Sequence, residues 1–167
     1  QKVTTVSPTY ASEILTPAYG EKMEDVLRFR QYDLTGILNG IDVSMWDPAT
    51  DPALVENYDV KTIRNKVKNK VALQKELGLR QSKEVFLVGM VSRLTWQKGL
   101  HLILDRMADV MGLDLQMVVL GSGESSMESS LRYFEDKYHR RMVYYGGYNE
   151  ELAHRIYASA DCFLMPS

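Results

Sequence analysis

The chain has 167 residues, 45% of them hydrophobic, which is enough to bury one sizeable core and therefore one domain or a little more. Its formal net charge of −2 excludes a general electrostatic attraction to nucleic acid or anionic membranes, and no run approaches the roughly 20 apolar residues of a membrane span. The single cysteine, Cys162, excludes an internal disulfide framework, and the first residues show no signal-peptide pattern, which favours the cytoplasm.

The first 58 residues predict short elements joined by loops. Lys2–Pro8 is a β-branched run ended by proline, typical of a strand that enters a loop. Thr9–Leu15 predicts one or two helical turns, and residues 17–33 predict a loop with one short helix. Ile37–Asp42 places apolar residues on both sides of an Asn-Gly pair, which predicts a tight turn or a hairpin. Residues 46–52 are rich in turn formers and indicate a linker.

From residue 59 the pattern changes to alternating helices and strands. Residues 61–77 predict an amphipathic helix capped by Gly78, with an apolar stripe of Ile63, Val67, Val71, Leu73 and Leu77. Strands are predicted over 85–91, 115–120, 142–145 and 162–165, and helices over 97–110, 126–138 and 149–160, the last with Asn149 as its N-cap. The predicted fold class is α/β, a Rossmann-like parallel sheet with helices on both faces.

The segment Ser92–Gly99 carries a cationic pair directly after an apolar strand. Arg93 and Lys98 lie on it, and ligands of open α/β sheets bind outside the carboxyl ends of the strands. A guanidinium and an ammonium group beside a helix N-terminus form a natural site for a diphosphate. By spacing alone, an ordinary solvated loop is the alternative interpretation.

A glycine turn, Gly121-Ser122-Gly123, ends the second apolar strand. Dinucleotide-binding proteins have a third glycine where this chain has Ser126, and no acid is suitably placed after a following strand. A redox Rossmann enzyme is therefore disfavoured. The plain alternative to a nucleotide-binding turn is a strand-to-helix turn that needs positive φ.

Two further residues attract attention by their positions. Tyr148 follows two glycines and precedes the predicted N-cap Asn149, which places its ring at the carboxyl edge of the sheet, where it can stack on an adenine. Asn39, by spacing alone, is an asparagine of a turn.

Other polar groups are assigned no chemistry. The histidines His101, His139 and His154 show no metal-ligand spacing with Cys162, which is interpreted as a small core residue. No Asp-x-Asp pair is present, so neither a catalytic metal nor a cofactor is expected. A basic stripe is interpreted as a solvated helix face; it comprises Lys61, Arg64, Lys66, Lys68, Lys70 and Lys75.

Several long motifs resemble the glycogen and starch synthases. Ser92–Gly99 is similar to their donor-phosphate loop, S-R-L-T-x-Q-K-G, and Leu38–Asp42 to their L-N-G-[IV]-D motif. The opening V-T-T-V-S-P-T-Y-A-x-E-I and the closing G-Y-x-E-x-L-A-H-R-I-Y-x-x-A-D-x-x-L-M-P-S also follow the family, so the resemblance covers essentially the whole chain. It implies part of a two-domain GT-B glycosyltransferase that needs no metal. The implied reaction transfers glucose from ADP-glucose to the non-reducing end of an α-1,4-glucan with retention of configuration.

The same resemblance implies roles for individual residues. Arg93 and Lys98 would be catalytic, binding the donor diphosphate and neutralising the leaving ADP. The turn of Gly121 and Gly123 would let the backbone approach the nucleotide, Tyr148 would pack on the adenine, and Asn39 would help to hold the glucosyl group. The implied domains are the end of an N-terminal, glucan-acceptor-side domain (1–38), an interdomain crossing (39–58) and the first part of a C-terminal nucleotide-sugar-binding domain (59–167).

The resemblance also implies an internal fragment of a synthase. The family's R-F-E-P-C-G-L glutamate would follow Ser167, and its K-T-G-G-L loop has no counterpart here, so the chain is expected to be inactive alone. The implied partners are ADP-glucose, an α-1,4-glucan and the rest of the synthase chain; a homo-oligomer is left open, and a plant-type enzyme would reside in the plastid. Two alternatives stay open: another GT-B glycosyltransferase with a different sugar nucleotide, and a non-catalytic nucleotide-binding module.

Overall fold

The computed structural model of the chain describes residues 1–166; Ser167, the end of the predicted C-terminal domain segment, lies outside the described residues. The chain forms two compact units, residues 1–43 and the residues from 44 onward. Within 1–166, no helix has the length and apolar character needed to span a membrane. The assignment of the first unit to a glucan-acceptor-side domain stays a prediction.

The first unit contains a two-stranded parallel sheet and two short helices. Strand β1 (Val3–Val6) pairs with β2 (Leu34–Ile37). Helix α1 (Pro8–Glu13) begins with a proline, whose missing N–H would have no helical partner at that position, and α2 spans Glu24–Phe29. The strand, the helical turns and the short helix predicted before residue 33 are therefore confirmed.

The tight turn or hairpin predicted at the Asn-Gly pair is wrong. Strand β2 ends at Ile37, and residues 38–42 form neither a turn nor a strand. The apolar and β-branched residues before the pair instead extend parallel to β1, from Val3 opposite Leu34 to Val6 opposite Ile37. A hairpin needs a second, antiparallel strand directly after the turn, and residues 38–42 supply none.

The second unit is built on a four-stranded parallel sheet with strand order β5-β4-β3-β6. Its strands are β3 (Phe86–Val91), β4 (Leu115–Gly121), β5 (Met142–Gly146) and β6 (Cys162–Phe163). Its helices are α3 (Lys66–Glu76), α4 (Leu100–Leu104), α5 (Met107–Gly112), α6 (Ser125–Lys137) and α7 (Glu150–Ser159). Single 3₁₀ turns occupy Ile63–Asn65 and Trp96–Lys98.

Helices cover both faces of this sheet, which confirms the predicted α/β fold class. Side chains of β4 alternate between two apolar clusters because successive residues of a strand point to opposite faces. Met117 and Val119 enter a cluster with residues of α4, α5 and α6. Val118 and Leu120 enter a second cluster with residues of α3 and α7.

The predicted apolar stripe of α3 is confirmed only in part, since Leu73 is buried and Leu77 packs on the same apolar cluster. The buried residues of this helix are Asn69, Lys70, Leu73 and Gln74, whereas Ile63 lies in the preceding 3₁₀ turn and is 53% exposed. Distant groups bond the buried polar side chains: Asn69 Nδ2 donates to Glu56 O (2.7 Å), and Gln74 Nε2 donates to Gln116 Oε1 (2.8 Å). These bonds remove the cost of burying amides, so polar residues share the buried face with Leu73.

The prediction that the basic stripe is solvated fails for Lys70. Only 4% of this residue is exposed, and its ammonium group lies 2.6 Å from the Asp161 carboxylate. Lys66 is also partly buried. Most other members of the stripe, such as Lys61 and Lys75, are exposed as predicted.

The single helix predicted over 97–110 is interrupted twice. Gly99 adopts positive φ (70°) between the 3₁₀ turn and α4, and a turn at residues 105–106 separates α4 from α5. The predicted apolar face nevertheless points inward, with Leu100, Ile103 and Met107 buried. The helix predicted over 61–77 begins as an α-helix only at Lys66, and the strand predicted over 162–165 ends at Phe163. The other predicted strands and helices of this unit are confirmed, as are the positive φ (70°) of Gly78 after α3 and the Asn149 cap of α7.

Two smaller expectations are corrected. Cys162 is exposed rather than buried, because β6 is a two-residue edge strand that pairs with β3 alone in the described sheet. The predicted linker at 46–52 does contain turns, but it packs on α7: Asp51 is 6% exposed, with its Oδ2 2.6 Å from His154 Nδ1. The ring of Trp46 stacks on His154 at a centroid distance of 3.8 Å.

Candidate functional site

The loop after β3, which carries the predicted cationic pair, is fixed to the loop after β4. Leu94, in the middle of the first loop, is 0% exposed, so its side chain anchors the loop in the apolar cluster. Two backbone hydrogen bonds join the loops, Leu94 N–H to Ser122 O (2.9 Å) and Glu124 N–H to Leu94 O (2.8 Å), and a third joins Ser92 N–H to Leu120 O at the end of β4 (3.1 Å). The backbone beside Arg93 is thus held in place before any ligand arrives.

Gly121 and Gly123 allow this close approach of the two loops. A Cβ atom on Gly121 would collide with the carbonyl oxygen of Ser92, and one on Gly123 would collide with the carbonyl oxygen of Leu94. Both positions therefore require glycine for packing. Gly121 also lines the cleft described next, whereas Gly123 does not.

Two clefts open where β3 and β4 end, and Arg93 lines both of them. The larger, about 260 Å³, is also lined by Gly121, Tyr148 and Asn149. The smaller, about 190 Å³, is also lined by Lys98. Four of the six predicted site residues, Arg93, Lys98, Gly121 and Tyr148, therefore lie around one edge of the sheet.

Tyr148 stands at the rim of the larger cleft with 85% of its surface exposed. The residue after it, Asn149, is the N-cap of α7, and its side chain accepts a hydrogen bond from Leu152 N–H at 2.9 Å. The negative charge of Glu150 raises the pKa of the Tyr148 phenol above its ordinary value, as do slight burial and a hydrogen bond to Glu150. The ring is therefore uncharged at neutral pH, as stacking on a nucleobase requires.

Asn39 is the predicted site residue that lies in the first unit. It is exposed and follows β2 in the segment 38–42. Its role toward a sugar stays a prediction.

Sequence reasoning missed two residues that shape the site. Glu124 Oε1 accepts a hydrogen bond from Trp96 N–H (2.8 Å), so this carboxylate fixes the loop that bears Lys98. The Tyr144 hydroxyl donates to Gly121 O (3.1 Å) from beneath the glycine turn. Glu124 could have been found from the sequence, because it directly follows Gly-Ser-Gly at the start of a predicted helix. Tyr144 could not, because a tyrosine inside a strand is usually a packing residue.

The charges of this edge suit a nucleoside diphosphate. Arg93 and Lys98 offer cationic donors, and Glu124 lines neither cleft. The exposed ring of Tyr148 and the side chain of Arg93 both line the larger cleft. A base on the ring and a diphosphate on the cations would together span this edge.

Comparisons with known proteins agree with this geometry. The family profile "Glycosyl transferases group 1" matches residues 85–167, and "Starch synthase catalytic domain" matches residues 1–29. The glycogen synthase of Ligilactobacillus salivarius is 51% identical over 166 residues, and that of Bacillus subtilis is 48% identical over 166 residues; each alignment covers 99% of this chain. The chain is homologous to the glycogen and starch synthases over its whole length. It spans about a third of the length of these relatives, 35% and 34% respectively.

Solved structures extend the agreement to three dimensions. The catalytic domain of starch synthase IV from Arabidopsis thaliana, solved with ADP and acarbose, superposes on this synthase homologue with a TM-score of 0.90 at 40% identity, covering 99% of this chain and 34% of that one. HepE from Anabaena, solved with UDP-glucose, reaches a TM-score of 0.57 at 19% identity and covers 89% of this chain and 36% of that one; it shows the shared fold alone. The GT-B class is therefore the fold of this chain.

Proposed function

We propose that this chain supplies the donor side of a glycogen synthase, which transfers glucose from ADP-glucose to the non-reducing end of an α-1,4-glucan with retention. The observation that carries the proposal is the pair of clefts at the carboxyl ends of β3 and β4, where Arg93, Lys98 and Tyr148 converge. The match to an ADP-bound starch synthase at a TM-score of 0.90 supports adenine as the donor base. The proposed compartment is the cytoplasm, or the plastid for a plant-type enzyme.

In this proposal Arg93 and Lys98 bind the diphosphate of the donor. As the bond from the sugar to the diphosphate breaks, negative charge grows on the leaving ADP, and fixed cations stabilise that charge without reorganising. No metal is needed for this role, since the two side chains replace its charge. Tyr148 stacks on the adenine, Gly121 allows the backbone to approach the nucleotide, and Asn39 holds the glucosyl group.

Nucleotide selectivity is the direct test of the donor site. Titration calorimetry of the 167-residue chain with ADP, UDP and NAD is expected to give saturable binding that is tightest for ADP. The Arg93→Met variant should weaken ADP binding, whereas Lys75→Met, which removes an exposed charge from α3, should not. A preference for UDP would indicate another GT-B glycosyltransferase, and a preference for NAD would overturn the proposal.

Transfer requires a second test, because a nucleotide-binding module without catalysis would also pass the first. The segment can replace the matching third of the Bacillus subtilis glycogen synthase, which is 48% identical to it. We expect the chimera to incorporate labelled glucose from ADP-glucose into glycogen. A folded chimera that binds ADP but transfers nothing would reject the catalytic part of the proposal.

A further inference from the structure

A further cleft, about 230 Å³, lies at the opposite edge of the sheet from the two clefts that Arg93 lines, which are called the donor clefts below. It is lined by the start of α3, by Lys83 before β3, and by Ser159 and Asp161 before β6. In a parallel sheet the residues that precede β3 and β6 lie at the amino ends of the strands, and β3 alone is roughly 20 Å long. This cleft is therefore separate from the site around Arg93.

The cleft is strongly cationic. Arg64, Lys66, Lys70 and Lys83 line it together with a single acid, Asp161. That acid is already matched, since it forms a 2.6 Å ion pair with Lys70. None of the ion pairs among residues 1–166 includes Arg64, Lys66 or Lys83, so three of the four cations that line the cleft have no carboxylate partner.

Lys66 is held in a partly desolvated position. Its ammonium group donates to Tyr157 O at 2.9 Å and lies 5.8 Å from the centre of the Tyr58 ring. Burial lowers the pKa of Lys66, and the nearby Asp161 charge opposes that shift. A cation that has lost water without gaining an acid is stabilised by any anion that binds beside it.

Two features of the cleft add to the demand for an anion. Ser159 is 1% exposed, and its hydroxyl has no hydrogen-bond partner in the described structure, which is costly for a buried polar group. The 3₁₀ turn Ile63–Asn65 continues directly into α3, and the first residues of this helical run include Arg64 and Lys66 but no acid. A helix N-terminus favours negative charge, so the cations there are opposed by the helix dipole until an anion joins them.

We propose that this cleft binds a phosphate group, either inorganic phosphate or the phosphate of a phosphomonoester. A phosphate offers several acceptor oxygens at once, which matches a converging guanidinium, ammonium groups and a hydroxyl donor. The inference goes beyond the proposed function and does not depend on it, because no residue of the cleft lines the donor clefts.

Calorimetry of the 167-residue chain tests this site with two probes, inorganic phosphate and phenyl phosphate. Saturable binding of inorganic phosphate alone would identify a site for the free ion, and binding of both would identify one that also accepts an ester. Arg64→Met and Lys83→Met alter exposed side chains and should each weaken binding about tenfold or more, as expected for a charge-assisted hydrogen bond. Lys75→Met, on the same helix but outside the cleft, and Arg93→Met, in the donor loop, should change it less than twofold.

Ser159→Ala separates a ligand-binding hydroxyl from a structural one. It should weaken phosphate binding, yet leave the unfolding temperature without phosphate unchanged or higher, because an unpartnered buried hydroxyl is removed. The proposal is overturned if neither probe binds saturably, or if Lys75→Met weakens binding as much as the cleft variants do. It is also overturned if only Arg93→Met matters, since the phosphate would then occupy the donor loop.

Discussion

Arg93 is the single residue on which the proposed chemistry depends most, because it lines both clefts at the carboxyl edge of the sheet. Arg93→Ala or Lys98→Ala in the chimeric synthase should lower kcat about 100-fold, as losing one electrostatic stabiliser of a transition state commonly does. KM should rise much less, since the charge develops mainly as ADP leaves. Steady-state glucosyl transfer measures both constants. Near-normal turnover in both variants, with Lys75→Ala as the matched control, would remove the two cations from the mechanism.

Tyr148 allows a test that distinguishes the ring from its hydroxyl. Tyr148→Ala should weaken ADP binding about tenfold, because stacking on an aromatic ring contributes roughly 1–3 kcal/mol per base, whereas Tyr148→Phe should be nearly silent. The raised pKa of the phenol keeps it protonated below about pH 9, so ADP affinity should show no titration from this residue between about pH 6 and 9. Calorimetry across that range checks both points. An unchanged dissociation constant in Tyr148→Ala would leave the tyrosine a structural residue.

The sequence predicted the positions of some site residues, but not the structural roles of others. Arg93, Lys98 and Tyr148 could be placed because each follows an apolar strand, and strand ends in a parallel sheet meet at one edge. The packing role of Gly121 and Gly123 could not, since it depends on the carbonyl groups of Ser92 and Leu94 in another loop. The local sequence pattern thus predicts where a side chain lies in the sheet, but it does not predict which backbone atoms of another loop lie beside it.

At the scale of elements, the ion pair of Lys70 and Asp161 joins α3 to the amino ends of β3 and β6. Asp161 Oδ2 also accepts Leu87 N–H at 2.8 Å, so one carboxylate serves two elements. Asp161→Ala should lower the free energy of unfolding by about 3 kcal/mol, because it leaves the Lys70 ammonium group buried without its partner. Lys70→Met should cost less, since Asp161 keeps the backbone donor and is 33% exposed to water.

Urea unfolding of the two single variants and the double variant measures this coupling. The double variant should lose less than the sum of the single losses, because its members share one interaction. Lys75→Met again provides the control on an exposed position of α3, with an expected change within about 0.5 kcal/mol. Strict additivity would show that the pair contributes nothing to the docking of α3.

Helix α3 also shows why an element can be predicted while its orientation cannot. The helix and its Gly78 end followed from local signals. Its buried face did not, because Asn69 and Gln74 become acceptable core residues only when Glu56 and Gln116 arrive from elsewhere in the chain. Apolar periodicity cannot register a hydrogen bond to a residue 42 positions away.

At the scale of the whole molecule, the two units differ in how much apolar surface each buries. In residues 1–43, Ile14 is the buried apolar side chain, and Phe29 and Tyr32 are 86% and 91% exposed. In the second unit, two apolar clusters enclose β4, all of whose residues are buried. Stability should therefore be uneven, with the sheet of the second unit opening last.

Native-state hydrogen exchange tests this order. Amides of β3 and β4 should exchange only through global unfolding, whereas those of β1 and β2 should exchange through a local opening of lower free energy. Raising the urea concentration should therefore accelerate exchange strongly in β4 and weakly in β1. The dependence of the opening free energy on urea concentration scales with the surface that the opening exposes, and global unfolding exposes more than a local opening. Equal slopes and equal protection in the two sheets would show that the units unfold together.

The two tryptophans of the chain occupy different surroundings and can therefore serve as two separate intrinsic fluorescence probes. Trp96 is 67% exposed on the loop between Arg93 and Lys98, where its ring stacks on His101 at 3.6 Å. Trp46 is stacked on His154, beside the buried Asp51, and lines none of the donor clefts. A Trp46→Phe variant would therefore emit from the loop that is proposed to bind the nucleotide, and a Trp96→Phe variant from the segment packed on α7. Intrinsic fluorescence can thus follow ligand arrival and the detachment of that segment as separate signals, without any attached dye.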